Sequence, residues 1–216
     1  MPRPMTIDIV SDITCPWCAI GLRGLEEGLA LAGDAVDATI RFHPFELNPN
    51  MPFEGRNMVE HLGERIGAPP EQLAASREML KAKAAELDFV MAQTAESRIY
   101  NTFDAHRLLH WAGIEGGQQA LKNALFEAYF SEGQNLADPE VLIAAVEKAG
   151  LDGAQARAVL TSGLYGDEVH EEEELWQSRG ISSVPAIIFD GKYLVAGAQP
   201  PETFEQVIRQ IAEQAA

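Results

Sequence analysis

Apolar positions run through three registers along the first part of this chain. From Thr6 to Ser11, Thr6, Ile7, Ile9 and Val10 crowd β-branched side chains into a run of strand length. From Cys15 onward, Ile20, Leu22, Leu25, Leu29 and Leu31 recur mostly at three- and four-residue steps, as on one face of a helix, and Gly33-Asp34 marks its stop. Ala38 to Phe45 then alternates, with Ile40 and Phe42 on one side and Thr39, Arg41 and His43 on the other. The pattern predicts a βαβ unit with parallel strands and a right-handed crossover, preceded by a frayed lead from Met1 to Met5.

From about Arg56 to Gly180 strand signal nearly vanishes and helix follows helix. Asn57 with Glu60 forms a capping-box pattern, Pro69-Pro70 opens a segment, and Asp138-Pro139 sets a cap and a first-turn proline before Val141, Leu142 and Val146. Gly113, Gly150, Gly163 and Gly180 are placed to end helices. Between Thr102 and Ala112, the residues Ala105, Leu108, Leu109 and Ala112 share a stripe, with Phe103, His106, Arg107 and His110 around the other side. Strand signal returns in Ala186–Phe189 and Tyr193–Val195, joined by Asp190-Gly191 as a tight hairpin. Pro201 then starts a last helix striped by Phe204, Val207, Ile208 and Ile211. The order βαβ, helices, ββα predicts an α/β fold of thioredoxin-like type, with a core of residues 1–55 and 181–216 and a large all-helical insertion at 56–180.

Composition narrows the function classes. The 216 residues are 46% apolar, enough for a sizeable core. With 16 basic against 33 acidic residues the net charge is −17, which argues against nucleic acid and anionic membrane surfaces as partners. No basic n-region followed by a short apolar stretch opens the chain, and no apolar run is long enough to span a bilayer, so a cytoplasmic location is expected.

The chemistry points to Cys15-Pro16-Trp17-Cys18, which holds both cysteines of the chain. A two-residue spacer puts both sulfurs on the first turn of the following helix, where they can close or open a disulfide with little backbone movement. Cys15, at the helix start, is the expected nucleophile, its thiolate favoured by free N–H groups; Cys18, one turn in, is the expected resolving thiol. Zinc would need two more ligands at suitable spacing, and the five histidines are scattered singly. A structural bridge across so small a loop would stabilise little. Glu171 to Glu174 reads as a solvated acidic face rather than a cation site, and His106 as a structural histidine or, alternatively, one facing the active site.

Four segments carry a family resemblance: Cys15-Pro16-Trp17-Cys18, Phe45-Glu46-Leu47-Asn48-Pro49, Asn101-Thr102 through Ala105-His106-Arg107-Leu108, and Val184-Pro185 followed by Gly197-Ala198-Gln199. In this order they resemble the FrnE-like branch of the DsbA family over nearly the whole chain. The resemblance implies a thiol oxidoreductase acting on protein thiols or disulfides, with Pro185 matching the family's cis proline. It implies no bound cofactor or metal, because the redox-active disulfide carries the electrons, with glutathione a candidate co-substrate. Trp17, Val184, Pro185, His106 and Phe103 are the expected substrate-binding residues, the helical insertion forming one wall of a groove. Trp17 stands where DsbA itself has a histidine, so strongly oxidising behaviour does not carry over. Ile9 stands where the thioredoxin core often buries an acid, which leaves Asp12 and His106 as candidates for handling the Cys18 proton. Relatives of the same architecture, the kappa-class glutathione transferases and 2-hydroxychromene-2-carboxylate isomerases, suggest a second reading as a glutathione-dependent isomerase or transferase. A third is a non-catalytic docking module.

Overall fold

A computed structural model describes residues 2–214. The chain opens with β1 (Arg3–Ser11), which begins earlier than the β-branched run suggested. Arg3–Met5, expected as a frayed lead, pair with Val36–Ala38, and the Asp190 carboxylate accepts from Arg3 Nη2 at 2.7 Å and Thr6 N–H at 3.0 Å. Met1 lies outside the described residues. Helix α1 (Pro16–Ala32) follows, stopped by Gly33, and leads into β2 (Val36–Pro44), parallel to β1. The unit is βαβ, as expected.

The chain next forms a two-residue antiparallel pair, β3 (Arg56–Asn57) with β4 (Arg98–Ile99), too short to leave a periodic signal in the sequence. Around it lie α2 (Met58–Ile66), α3 (Pro70–Ala85), α4 (Phe103–Glu115), α5 (Gln118–Phe126), a π-helical turn at Glu127–Ser131, α6 (Pro139–Lys148), α7 (Gly153–Ser162) and α8 (Gly166–Ser178). Asn57 and Asp138 cap α2 and α6 through their side chains. Gly113, expected as a stop, sits inside α4, which ends at Gly116.

The hairpin β5 (Ala186–Phe189) and β6 (Tyr193–Ala196) joins β1 antiparallel, for a sheet order β2-β1-β5-β6, and α9 (Pro201–Gln214) closes the described chain. Its turn, Asp190-Gly191, is left-handed at both residues, with φ of 51° and 64°. One sheet face, with Ile7, Ile9, Phe42, Ile187 and Phe189, belongs to the main core that α1, α4, α5 and α9 complete. On the other face Val10, Ala186 and Ile188 pack against Trp176 of α8. Helix α9 lies so close to α1 that a Cβ on Gly28 would stand 2.6 Å from Phe204 Cβ and 2.9 Å from the Pro201 carbonyl.

The β2 edge is not left open. Gln118 of α5 accepts from Phe42 N–H and donates to Phe42 C=O, both at 2.9 Å, as a neighbouring strand would. This contact anchors the helices to the sheet beside the β1–α1 junction. Among the described residues no helix is long and apolar enough to cross a membrane.

Candidate active site

The site grows out of the turn Asp12-Ile13-Thr14, which is buried from end to end. The Asp12 carboxylate accepts from Leu47 N–H at 2.8 Å and the Thr14 hydroxyl at 3.4 Å, tying the turn to the Phe45–Pro49 segment. His106 lies beside it, Nε2 3.6 Å from Asp12 Oδ1. Burial pushes Asp12 up, but His106, the Leu47 N–H and Lys122 outweigh it and hold the carboxyl below its ordinary value.

The turn delivers Cys15 to the N-cap of α1, with Pro16 as the first helical residue. Both cysteines are thiols, 5% and 2% exposed. Cys15 is held below the ordinary thiol value, chiefly by the Cys18 thiol donating to it and then, against the cost of burial, by the N–H groups of Cys18 and Trp17. The direction matches the sequence expectation; the leading cause does not, because the neighbouring thiol outranks the helix terminus. Burial and the adjacent Cys15 sulfur push Cys18 well up. The two thiols therefore divide, one poised to ionise and the other kept protonated.

Opposite Cys15 the Val184-Pro185 peptide is cis, as expected, and the Cys15 thiol faces the Val184 carbonyl at 3.8 Å. The Pro185 carbonyl accepts from Gly197 N–H at 2.8 Å, so the Gly197–Gln199 segment braces the proline loop. Two recesses flank the cysteines. One, of about 150 Å³, lies beside Thr14 and Pro16 and is walled by Met58, Leu62 and Leu80 of α2 and α3. The other, of about 290 Å³, is lined by Trp17, Ile20, Leu87 and Pro200. Phe103 and His106 line neither: Phe103 stacks on His170, with ring centroids 4.7 Å apart, and His106 is buried beneath the turn. The helical insertion walls the first recess through α2 and α3, and Phe103 and His106 of α4 take no part in it. Of the Asn101–Leu108 segment, Asn101 ties Pro49 to the start of α4, and Arg107 staples Asp104 to the Leu164 carbonyl.

The acidic run is a correction. Glu171 and Glu174 are exposed, but Glu172 accepts from His43 Nδ1 at 2.6 Å, and Glu173 is 8% exposed and accepts from Glu46 N–H at 2.7 Å. His43 gives its other nitrogen to Asp8 at 2.9 Å. Burial, with the Glu173, Asp12 and Asp104 charges, pushes Glu46 up to about 7. Sequence reasoning also missed Lys122, 1% exposed on α5, whose ammonium lies over the Phe42 and Phe126 rings at 5.7 and 5.0 Å. The signal was available: Lys122 interrupts the apolar run of Leu121, Leu125 and Phe126.

Among known families, the DSBA-like thioredoxin domain matches residues 6–209. The crystal structure of a probable DsbA oxidoreductase, SCO1869 from Streptomyces coelicolor, is 33% identical with a TM-score of 0.90, over 98% of this chain and 91% of that one. An uncharacterized protein of Bacillus subtilis, YwbO, is 26% identical over 206 residues, 94% of each chain. A 2-hydroxychromene-2-carboxylate isomerase shares the fold at 19% identity and a TM-score of 0.72, over 97% of both chains.

Proposed function

The chain belongs to the DSBA-like thioredoxin domain family, and from that premise we propose that it is a thiol-disulfide oxidoreductase or isomerase acting on protein substrates through Cys15 and Cys18. The observation that carries this reading is the division of the pair: a favoured thiolate at the helix N-cap and a protonated thiol one turn behind it. Cys15 attacks a substrate disulfide, or in the reverse direction a substrate thiolate attacks the Cys15 sulfur of the closed pair; Cys18 resolves the mixed disulfide. An extended substrate lies along the Val184 backbone beside Cys15 in strand fashion. Its neighbouring side chains enter the recess of Pro16 or that of Trp17, both carried by the reactive turn. Pro185 supports this surface from below, packed near Gly21 of α1. Protein thiols and disulfides are the proposed partners and glutathione a proposed co-substrate, with exchange taking place in the cytoplasm, where dithiols are kept reduced.

A glutathione-dependent isomerase of the same fold needs no resolving thiol, and the intact pair favours dithiol exchange over it. The test is a non-reducing gel of Cys15→Ala and Cys18→Ala after mixing with a disulfide-containing protein, alongside insulin reduction by the wild type. Cys18→Ala should accumulate mixed disulfides that vanish on reduction, and Cys15→Ala should trap little. Equal trapping by the two variants together with no insulin reduction would overturn the assignment.

A further inference from the structure

Charge is divided unevenly between the two recesses that flank the cysteines. The recess beside Pro16 takes Arg65 of α2 and Arg77 and Lys81 of α3 into its wall and no carboxylate, in a chain with 33 acidic residues against 16 basic. The recess beside Trp17 is the reverse: Glu27, Glu86 and Glu202 line it with one cation, Lys83. Pro16 belongs to the first and Trp17 to the second, so the two meet at the reactive turn.

The cations of the first recess differ in what they are free to do. Arg65 is committed, its Nη1 donating to the Leu47 carbonyl and to Asn48 Oδ1 at 3.1 Å each. Arg77 and Lys81, one turn apart on α3, pair among the described residues with Glu78, a carboxylate 65% exposed that is not part of the wall and lies 3.8 Å from Arg77 Nε and 3.1 Å from Lys81 Nζ. Arg77 Nε is buried without a hydrogen-bond partner among the described residues, and so is Nε2 of Gln93, a wall residue 8% exposed. Two buried donors without acceptors in one recess cost free energy that an incoming acceptor would recover. Most of the remaining wall is apolar, with Met58, Leu62, Leu73, Leu80 and Met91, and its 150 Å³ is the size of an apolar cavity that holds a group as large as benzene. The occupant that suits this wall is an apolar body carrying a negative acceptor.

The geometry points to a substrate preference: the Pro16 recess binds a protein segment in which an apolar side chain adjoins an Asp or Glu, the apolar group entering between α2 and α3 and the carboxylate meeting Arg77 and Lys81. This rests on the dithiol-exchange reading above. Arginine suits the task because its planar fork matches a carboxylate. The Trp17 recess supplies the contrast, since a substrate laid across Cys15 in the opposite sense sets its carboxylate against Glu27, Glu86 and Glu202. The substrate is thereby held in one direction, its acidic flank on the Pro16 side.

The test uses two peptides of identical composition, each with one cysteine held in a disulfide to an aromatic thiol whose thiolate absorbs. One carries Leu-Glu before the cysteine and Leu-Gln after it; the other exchanges the Glu and the Gln. Their net charge is the same, so the field of the whole chain acts on both alike. Cys15 takes the peptide sulfur and the aromatic thiolate leaves, and each rate constant is divided by that with free 2-mercaptoethanol. With the wild type one isomer should react about tenfold faster, and in Arg77→Met with Lys81→Met the ratio should fall to within about twofold of one. Isomers that react within about twofold of each other on the wild type, or a ratio that survives in the double variant, overturn the inference. If the double variant does not fold, Lys81→Gln alone should still lower the ratio at least about twofold, and a smaller change overturns it equally. Glutathione disulfide, which has carboxylates and no apolar neighbour, should lose less in the double variant than the faster peptide does; an equal loss would assign the cations to a small carboxylate co-substrate and overturn the protein-segment assignment. A wild type that releases thiolate from neither peptide faster than Cys15→Ala does overturns dithiol exchange itself, a failure separate from the others.

Discussion

The Cys15 Sγ lies 3.8 Å from the Val184 carbonyl oxygen, a contact between residues 169 positions apart. It suits a thiol, which can donate to the carbonyl, and not a thiolate, which cannot. The anion of Cys15 is held instead by the Cys18 thiol first and the Cys18 and Trp17 N–H groups after it. Cys15 should therefore titrate below the ordinary thiol value of about 8.5, and Cys18→Ala should move it upward. Ultraviolet thiolate absorbance against pH measures both. An unchanged midpoint in Cys18→Ala would assign the whole effect to the helix terminus.

The recess beside Pro16 is walled by Met58, Leu62 and Leu80, so apolar substrate side chains should be bound there. Leu62→Gln with Leu80→Gln should lower kcat/KM towards an unfolded protein disulfide roughly tenfold, about 1.4 kcal/mol of lost binding. A small soluble disulfide should be reduced at nearly the wild-type rate. Phe103→Ala should not separate the two substrates, since Phe103 stacks on His170 and lines neither recess. Equal losses on both substrates in the leucine variant would remove the recess from substrate binding.

Gly28 leaves no room for a methyl group between α1 and α9. Gly28→Ala has to push Phe204 or the start of α9 away, and overpacking of this kind costs about 1–3 kcal/mol. The urea midpoint should fall accordingly with an unchanged slope. A variant as stable as the wild type would show that α9 shifts freely.

The His43–Glu172 contact makes stability depend on pH. Burial raises Glu172, but His110 and His43 bring it down from 4.5 to about 2, so its contribution is full above 4.5 and is lost as pH falls towards 2. Burial lowers His43, but Asp8 and Glu172 raise it above 6.5, so its contribution is full below 6.5 and is lost as pH rises through the higher folded value. The stability lost in Glu172→Gln should be greatest between about 4.5 and 6.5 and shrink on both sides. Urea midpoints over a pH series give the curve, and a difference that does not vary with pH contradicts it.

What the chain determined locally was legible in it. The βαβ unit, the hairpin at Asp190-Gly191, the caps at Asn57 and Asp138 and the stripe of α9 depend on residues near one another in sequence, where periodicity and turn chemistry act. The CxxC pair was equally plain, because its geometry is set within one helical turn. What was not legible came from contacts at long range. Arg3–Met5 join β1 by pairing with Val36–Ala38, with Asp190 reaching back to Arg3 and Thr6, and the edge of β2 is closed by a glutamine 76 residues away. Half of an acidic run turned inward because His43 and the Glu46 backbone offer donors there. Lys122 carries its own charge in the sequence, but only folding removes its water and sets it over the Phe42 and Phe126 rings, since desolvation is a property of the packed chain rather than of any segment.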